Sequence, residues 1–173
     1  TILKHTGCKV GKSICEDNCE SLIREIFDFS KKYNCKIVCP EDVVVSQNIE
    51  GNGKNKNINE INNDEMILDI GPKTIFTIKN IINESNTVLW NGPAGYFENP
   101  NFQNGTREIL EAISNKTIND KIFSVAGGGE TVAAINKFKK LKSFTFVSTA
   151  GGAFLEYLEG KTLPGIKALN QNV

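Results

Sequence analysis

The sequence lacks the features that mark a nucleic-acid or membrane protein. It has no excess of either charge, because 20 basic side chains balance 20 acidic ones, and this argues against general binding to nucleic acid or to a membrane surface. No apolar run approaches the roughly 20 residues of a membrane-spanning helix, and no signal-peptide pattern is present. We therefore expect neither nucleic acid nor a membrane as a partner.

Cysteine is present in an odd number, and histidine is nearly absent. The five cysteines are Cys8, Cys15, Cys19, Cys35 and Cys39. Without a secretion pattern, an odd count predicts reduced thiols in a cytoplasmic protein. Two pairs have a spacing of four, but a metal site needs more ligands, and His5 is the single histidine. We interpret the cysteines as small buried or surface thiols.

The length of 173 residues, with 39% of them hydrophobic, is sufficient for one domain with a sizeable core. The chain opens on Thr1-Ile2-Leu3-Lys4 rather than on methionine. We expect it to be a piece of a longer protein.

Hydrophobic periodicity predicts strands that alternate with helices. The predicted helices are 17–33 (with Asp17 or Asn18 as N-cap), 73–84, 101–114, 130–138 and 151–159. The predicted strands are 36–40 (with 43–45 continuing the apolar run), 66–70, 87–90, 122–126 and 144–148. The polar segment 46–65 is interpreted as a loop with room for a short strand.

This alternation, with short and continuously apolar strands, predicts an α/β fold: a doubly wound parallel sheet with helices on both faces. Ligands of such sheets bind at the carboxyl ends of the strands. The segments VLWNGP, SVAGGGE and VSTAGGA all follow predicted strands, so we expect the functional site there.

A first glycine-rich segment, Gly7–Ser13, resembles a phosphate-binding P-loop only superficially. The motif requires four residues between its first glycine and the Gly-Lys-Ser end, and three are present here. No apolar strand precedes it, so we interpret it as an ordinary turn.

The segment Gly127-Gly128-Gly129 is a stronger candidate, because it joins a strand to a helix. Glycines allow backbone N–H groups to approach an anion, and the helix N-terminus adds partial positive charge. Phosphate is the natural ligand, and Glu130 next to it makes sense if a divalent cation bridges the two. The alternative is a tight turn that needs glycine for steric reasons alone.

Ser148–Ala153 repeats the arrangement of strand, small residues and helix. Two neighbouring helix N-termini of this kind could hold a phosphoryl group between them.

The turn Trp90–Glu98 has a different composition. Pro93 and Tyr96 offer flat apolar faces that suit a base, and the Glu98 carboxylate suits two ribose hydroxyls as an acceptor. Phe97 is interpreted as core. The turn would then be the nucleoside end of a nucleotide site, and the glycine turns its phosphate end.

Four segments in their order and spacing resemble the C-terminal, nucleotide-binding domain of phosphoglycerate kinase: LDIGPKT, WNGPAGYFE, SVAGGGETVAAI and STAGGAFLEYLEGKTLPGI. The resemblance covers nearly the whole chain. It implies phosphoryl transfer between 1,3-bisphosphoglycerate and ADP in glycolysis, with Mg²⁺ as cofactor and ATP or ADP as substrate. It also implies a cytoplasmic monomer of two doubly wound domains.

The resemblance also implies roles for individual residues. Glu98 matches a ribose ligand, Leu68 and Pro93 match adenine contacts, and Asn91 lies near the phosphates. The phosphate-chain residues would be Gly127, Gly128, Gly129 and Thr131, with Glu130 at the magnesium position. Gly151 and Gly152 match the helix N-terminus that meets the transferred group, as the catalytic pair.

The sequence departs from the family pattern at a few positions. Glu130 stands where the family usually has aspartate, and Ile67 and Ala150 stand where it often has glycine. Lys4 is not one of the family's catalytic lysines.

The resemblance divides the chain into residues 1–160, a partial nucleotide-binding domain, and residues 161–173, a segment that would return to an N-terminal domain not contained in this sequence. 3-Phosphoglycerate would bind through that domain. We therefore expect the chain to carry only the magnesium–nucleotide half of the site and to be inactive alone. The alternatives are a non-catalytic nucleotide-binding remnant and an interaction module, which would leave the glycine turns unexplained.

Overall fold

The computed structural model describes residues 1–170. The helices are α1 (Ile2–His5), α2 (Glu20–Lys32), α3 (Pro72–Glu84), α4 (Asn104–Asp120), α5 (Gly129–Lys137), α6 (Gly152–Leu158) and α7 (Pro164–Asn170). The strands are β1 (Asp42–Ser46), β2 (Lys54–Asn57), β3 (Met66–Ile70), β4 (Thr87–Asn91), β5 (Phe123–Gly127) and β6 (Phe146–Val147). Of the predicted segment 161–173, residues 171–173 lie outside the described residues.

The chain forms two compact units, each built from separate stretches of sequence. The first unit contains residues 1–80 and 94–109, and the second contains residues 81–93 and those from 110 onward. The residues of α3 and α4 are shared between the units, because two of the three boundaries fall inside these helices; the third follows residue 93, in the turn after β4.

The first unit contains an antiparallel sheet in the order β2-β1-β3. Val43 and Val45 of β1 are almost fully buried and pack with Ile61. Ile58 and Ile67 complete this cluster from the side. β-Branched residues suit such positions because they pack well on a pleated surface.

Asp42, at the start of β1, fixes the beginning of α3. Its carboxylate accepts hydrogen bonds from the backbone N–H groups of Lys73 (3.0 Å) and Thr74 (2.8 Å) and from the Thr74 hydroxyl (2.7 Å). These bonds satisfy donors at the helix N-terminus that have no partner within the helix. A Cβ on Gly71 would overlap the carboxylate, so the cap requires glycine there.

The second unit contains the parallel sheet β4-β5-β6, with α4 and α5 as the connections. Trp90 and Ala126 are buried neighbours on one face, and Trp90 stacks on Phe144 with ring centroids 6.1 Å apart. On the opposite face, Leu89 and Phe123 are about half exposed.

The structure confirms the predicted α/β class and the strand–helix alternation from residue 87 onward. It also confirms the short strand within 46–65, as β2. Segment 36–40 forms no strand, since β1 begins only at Asp42. Pro40, which cannot donate a ladder hydrogen bond, separates this segment from β1.

Two further details differ from the sequence expectation. Strand β3 pairs antiparallel with β1, because no helical crossover separates the two and a parallel pair would require one. Helix α2 begins at Glu20 with Cys19 as its N-cap, because Asn18 has a left-handed φ of 58°.

Among residues 1–170, no helix combines the length and apolar character required to cross a membrane.

Candidate functional site

The carboxyl ends of the three parallel strands bring most of the predicted site residues of the second unit together. Asn91 at the end of β4 is the register partner of Gly127 at the end of β5. The Ser148 N–H donates to the Ala126 carbonyl at 2.8 Å and thereby extends the pairing beyond β6. The turns after β4, β5 and β6 therefore lie at one edge of the sheet, as predicted.

Asn91 and Thr131 hold two of these turns in place. The Asn91 side-chain Nδ2 donates to the Gly127 carbonyl at 2.9 Å. The Thr131 hydroxyl, which is buried, accepts from the Gly92 N–H at 2.7 Å. The Thr131 hydroxyl thus has a structural partner, which the sequence pattern alone did not indicate.

Two glycines of the first turn are required by the fold itself. Gly128 has a φ of 92°, in the left-handed region, and a Cβ there would lie 2.9 Å from Asn91 Nδ2. A Cβ on Gly127 would overlap the Phe154 ring. At these two positions, steric need is a sufficient explanation for glycine.

The same explanation fails at Gly129 and Gly152. An added Cβ would meet no atom within 4 Å at either position, and neither residue has a positive φ. Both are the first residues of helices, α5 and α6, where glycine gives no helix stability. The open space in front of these backbones is where a ligand could approach closely.

The two glycine turns line a common pocket of about 180 Å³ within the second unit. Its lining residues are Gly128, Gly129, Val132, Ser148, Thr149 and Gly151. This volume suits a group of phosphoryl size rather than a whole drug-sized ligand, for which pockets of about 300–1,000 Å³ are usual. A larger hollow of about 570 Å³ is lined by residues of α2 alone and is an open helix surface.

The start of α5 can receive a negatively charged ligand. Its N-cap is Gly128, which has no side chain to accept a hydrogen bond from the helix. The first N–H groups of any helix lack acceptors within it. These groups carry partial positive charge. Anion binding is the chemistry for which this geometry is suited.

Glu130 lies in the first turn of α5 with an exposed side chain. Among residues 1–170, no group of three or more histidine, cysteine, aspartate or glutamate side chains is arranged to hold a metal ion. A magnesium ion that arrives with nucleotide phosphates uses only one or two protein carboxylates. The exposed Glu130 fits that requirement.

The predicted nucleoside residues Leu68 and Glu98 belong to the first unit. The Leu68 carbonyl accepts from the Tyr96 N–H at 2.7 Å, so β3 holds the turn that carries Glu98. Tyr96 and Glu98 are exposed, whereas Phe97 is buried, which confirms its interpretation as core. Pro93 is half-buried and belongs to the second unit.

Helix α4 also holds this turn. The buried Thr106 hydroxyl accepts from the N–H groups of Ala94 (3.1 Å) and Gly95 (3.3 Å). The turn is therefore fixed by backbone and hydroxyl contacts from two elements of the first unit.

Asp69 is a buried residue of this region that sequence reasoning missed. Its carboxylate accepts from Gly105 N–H at 2.8 Å and from Ile70 N–H at 2.8 Å. Burial raises its pKa to about 6, although the backbone hydrogen bonds oppose the shift. A Cβ on Gly95 or on Gly105 would overlap the Asp69 carboxylate. The sequence feature that could have identified Asp69 is a charged residue inside an apolar strand.

The segment Gly7–Ser13 forms an ordinary turn, as expected. The Lys12 N–H donates to the Glu65 carbonyl at 2.7 Å, and the Ser13 hydroxyl accepts from Ile67 N–H at 2.9 Å. A Cβ on Gly11 would overlap the Glu65 carbonyl, so this glycine faces the protein and not a ligand.

Comparison with known proteins gives one consistent result. A family model described as phosphoglycerate kinase matches residues 1–161. The chain belongs to the phosphoglycerate kinase family. This membership confirms the resemblance found in the sequence motifs.

Curated phosphoglycerate kinases align with almost the whole chain. The enzyme named phosphoglycerate kinase from Xanthobacter autotrophicus is 44% identical over 173 residues, which are 99% of this chain and 44% of the relative. That from Zymomonas mobilis is 44% identical over 171 residues, which are 98% of this chain and 43% of the relative. The chain thus spans less than half the length of the curated phosphoglycerate kinases that it matches.

Solved phosphoglycerate kinase structures share the fold. The structure from Coxiella burnetii superposes with a TM-score of 0.90 at 39% identity, covering 99% of this chain and 43% of that one. The structure from Pyrococcus horikoshii gives a TM-score of 0.75 at 27% identity, covering 98% of this chain and 42% of that one. These similarities confirm the α/β class for the described residues.

Proposed function

We propose that this chain supplies the magnesium–nucleotide half of a phosphoglycerate kinase site. The reaction is phosphoryl transfer between 1,3-bisphosphoglycerate and ADP in one direction, and between ATP and 3-phosphoglycerate in the other. The observation that carries the proposal is the common pocket of the two glycine turns. Gly129, which lines this pocket, and Gly152, which follows the lining residue Gly151, are glycine without any steric demand from the fold.

The phosphate end of the nucleotide is assigned to the second unit. Gly127, Gly128 and Gly129 bring the start of α5 against the phosphates, with Asn91 and Thr131 beside them. Gly151 and Gly152 meet the transferred phosphoryl group from the start of α6. Leu68 of the first unit is assigned to the base and Glu98 of the same unit to the ribose. Pro93, which belongs to the second unit, is assigned to the base as well.

The chemistry required of these residues is positioning and charge stabilisation. A phosphoryl group in transfer spreads negative charge over its three equatorial oxygens. Backbone N–H groups that are already oriented stabilise such charge without reorganisation during the reaction. Magnesium held by Glu130 would neutralise further charge on the nucleotide phosphates.

Phosphoglycerate itself is assigned to residues beyond this chain. The matched relatives are more than twice as long as the part aligned here, and the sequence resemblance implies a basic phosphoglycerate pocket in the other domain. Donors to a transition state act only as an assembled set. We therefore propose that this chain binds nucleotide but does not turn over alone, and that the whole protein is a cytoplasmic monomer.

Nucleotide binding is tested on the chain as it is, by calorimetric titration with MgADP. The informative variant is Gly129→Asp, which places a carboxylate in the pocket, and the matched control is Gly165→Asp in α7. Both positions have open space for a side chain, and both changes add one negative charge. We expect Gly129→Asp to weaken binding at least tenfold, since repulsion replaces attraction at the phosphates, and Gly165→Asp to leave binding unchanged.

Failure of the unchanged chain to bind MgADP would contradict the proposal and favour an interaction module. Equal binding by the two variants would contradict the assignment of the pocket. A coupled kinase assay distinguishes the alternative of a non-catalytic remnant. The chain alone gives no turnover under either proposal. When the rest of a phosphoglycerate kinase is joined to it, turnover is regained only if the chain is catalytic.

A further inference from the structure

Three side chains of the first unit form a contact chain that the proposed function does not use. Cys19 Sγ lies 3.1 Å from His5 Nε2, and His5 Nδ1 lies 3.6 Å from a carboxylate oxygen of Glu20. His5 ends α1, Cys19 is the N-cap of α2, and Glu20 is the first residue of α2. The contacts arise because α1 packs against the start of α2.

The surroundings of these groups are unequal. The His5 side chain is 10% exposed, whereas that of Glu20 is 64% exposed. Cys19 is half-buried. The imidazole is thus held inside the unit between a thiol and a carboxylate.

The Glu20 carboxylate is the charged neighbour of the imidazole on its Nδ1 side. Glu20 next to Nδ1 favours the tautomer with the hydrogen on Nδ1, which leaves the Nε2 lone pair directed at the thiol. Transfer of the thiol proton to Nε2 then gives a thiolate and an imidazolium flanked by a carboxylate.

We propose that Cys19 is a base-activated nucleophilic thiol and a modification site for small electrophiles, including hydroperoxides. A nucleophile within hydrogen-bond reach of a base, with a third group that orients the base, is the arrangement that activates thiols in general. The proposal does not depend on nucleotide binding.

The step with a hydroperoxide is balanced by the groups present. The thiolate sulfur attacks one peroxide oxygen, the S–O bond forms and the O–O bond breaks. The leaving hydroxide, or the alkoxide from an organic hydroperoxide, takes the proton from the His5 imidazolium and becomes water or an alcohol. Cys19 is oxidised to sulfenic acid and the peroxide is reduced.

A simpler role for the thiol makes a different prediction. Cys19 Sγ also lies 3.6 Å from the Glu16 carbonyl, and an inert thiol could donate there. In that case the half-buried Cys19 would react more slowly than Cys35, which is exposed. Because His5 is the only histidine in the sequence, Cys35 has no imidazole base and serves as a comparator within the same molecule.

The test is competitive alkylation of the full chain with substoichiometric iodoacetamide at pH 7, followed by mass spectrometry of the cysteine peptides. We expect Cys19 to react at least about tenfold faster than Cys35, since a free thiol at this pH is only a few per cent thiolate. In denaturant the two rates become equal. Treatment with hydrogen peroxide and dimedone labels Cys19 in preference to Cys35.

Two variants connect the reactivity to the neighbours. His5→Gln removes the base and reduces the rate ratio to about one or below, whereas Glu20→Gln at the exposed position lowers it only in part. Circular dichroism reports whether each variant is folded. If the variant of the buried His5 is unfolded, the rate ratio of Glu20→Gln decides the test. A ratio of one or less in the folded chain, or a high ratio that Glu20→Gln and a folded His5→Gln both leave unchanged, would overturn the proposal.

Discussion

Asp42 and Asp69 are both buried in the first unit, yet their surroundings shift the pKa of the two carboxyl groups in opposite directions. Burial acts to raise the pKa of Asp42, but hydrogen bonds from Lys73 and Thr74 outweigh it and lower the pKa. For Asp69, burial dominates the backbone hydrogen bonds and raises the pKa to about 6. The difference follows from the stronger effect of burial at Asp69 and from the positive charge of Lys73 near Asp42.

We expect Asp69 to make stability depend on pH in an unusual sense. Its folded-state pKa of about 6 lies above the ordinary 3.8, so the folded chain binds the proton more tightly than the unfolded chain. The resulting stabilisation is complete below about pH 4 and is lost as the pH rises through 6. Between pH 4.5 and 7.5, the free energy of unfolding of the wild type relative to Asp69→Asn should fall by about 2 kcal/mol.

The measurement is urea unfolding of both proteins at several pH values. Asp42→Asn is the control. Because the pKa of Asp42 is lowered, the stabilisation that its carboxylate contributes is lost only in more acidic solution. The difference in the free energy of unfolding between Asp42→Asn and the wild type should therefore stay nearly constant over this range. Parallel curves for wild type and Asp69→Asn would show that Asp69 does not titrate there.

Glu130 permits a test that separates metal positioning from helix stabilisation. In the protein that carries the complete site, we expect Glu130→Gln to lower turnover at least tenfold and to raise the magnesium requirement, since the exposed carboxylate is assigned to the metal. A role limited to the helix N-terminus would change only stability, by about 0.3–1 kcal/mol.

The comparison variant for Glu130 is Glu25→Gln, which neutralises another exposed helical carboxylate, in α2. A magnesium titration of turnover is carried out on all three proteins. Wild-type turnover and an unchanged magnesium requirement in Glu130→Gln would show that Glu130 acts only at the start of helix α5 and does not position the metal.

At the level of elements, the ends of β4 and β5 are held together by side chains of Asn91, the last residue of β4, and of Thr131 in the first turn of α5. The buried Thr131 hydroxyl is the acceptor for Gly92 N–H. Thr131→Val keeps the shape and removes this acceptor, so we expect a loss of about 1–3 kcal/mol in the free energy of unfolding. Thr131→Ser retains the hydroxyl and should cost less. A loss in Thr131→Val no larger than that in Thr131→Ser, measured by chemical denaturation, would show that the hydrogen bond contributes no more than the packing of the methyl group.

The strands β4, β5 and β6 were predictable because each is a short apolar run followed by glycine and an amphipathic helix. Those signals are local in sequence. The antiparallel pairing of β3 with β1 was not predictable, because it joins residues 20 or more positions apart and no local pattern specifies a strand's partner.

The candidate site shows the same division. Gly129 and Gly152 were identifiable from spacing, and the structure adds that no steric demand explains them. The buried Asp69 was not identified, because its role depends on Gly95 and Gly105, which the fold brings from distant sequence. The Cys19–His5 contact was missed for a related reason: α1 is only four residues long and gives no periodic signal.

At the scale of the whole molecule, one face of the second unit's sheet is incompletely covered. Leu89, Phe123 and Phe146 are 48%, 52% and 56% exposed, although parallel sheets are normally covered on both faces. Exposed apolar patches favour association. We expect this chain to self-associate with rising concentration, as measured by light scattering after size-exclusion chromatography.

The double variant Phe123→Thr/Phe146→Thr should associate less, since threonine retains β propensity while it removes the apolar area. Phe76→Thr in α3, also highly exposed at 66%, is the control outside that sheet. A wild-type chain that stays monomeric over the whole concentration range would contradict the expectation.

The stacking of Trp90 on Phe144 gives this molecule a built-in optical label. Trp90 is the single tryptophan of the sequence, it is buried, and it belongs to the second unit. Excitation at the red edge of the protein absorption band therefore reports on the second unit alone, whereas far-ultraviolet dichroism averages over both. If the two units melt at different temperatures or denaturant concentrations, the emission and dichroism curves will separate, and the Asp69 titration will displace only the component that the tryptophan does not see.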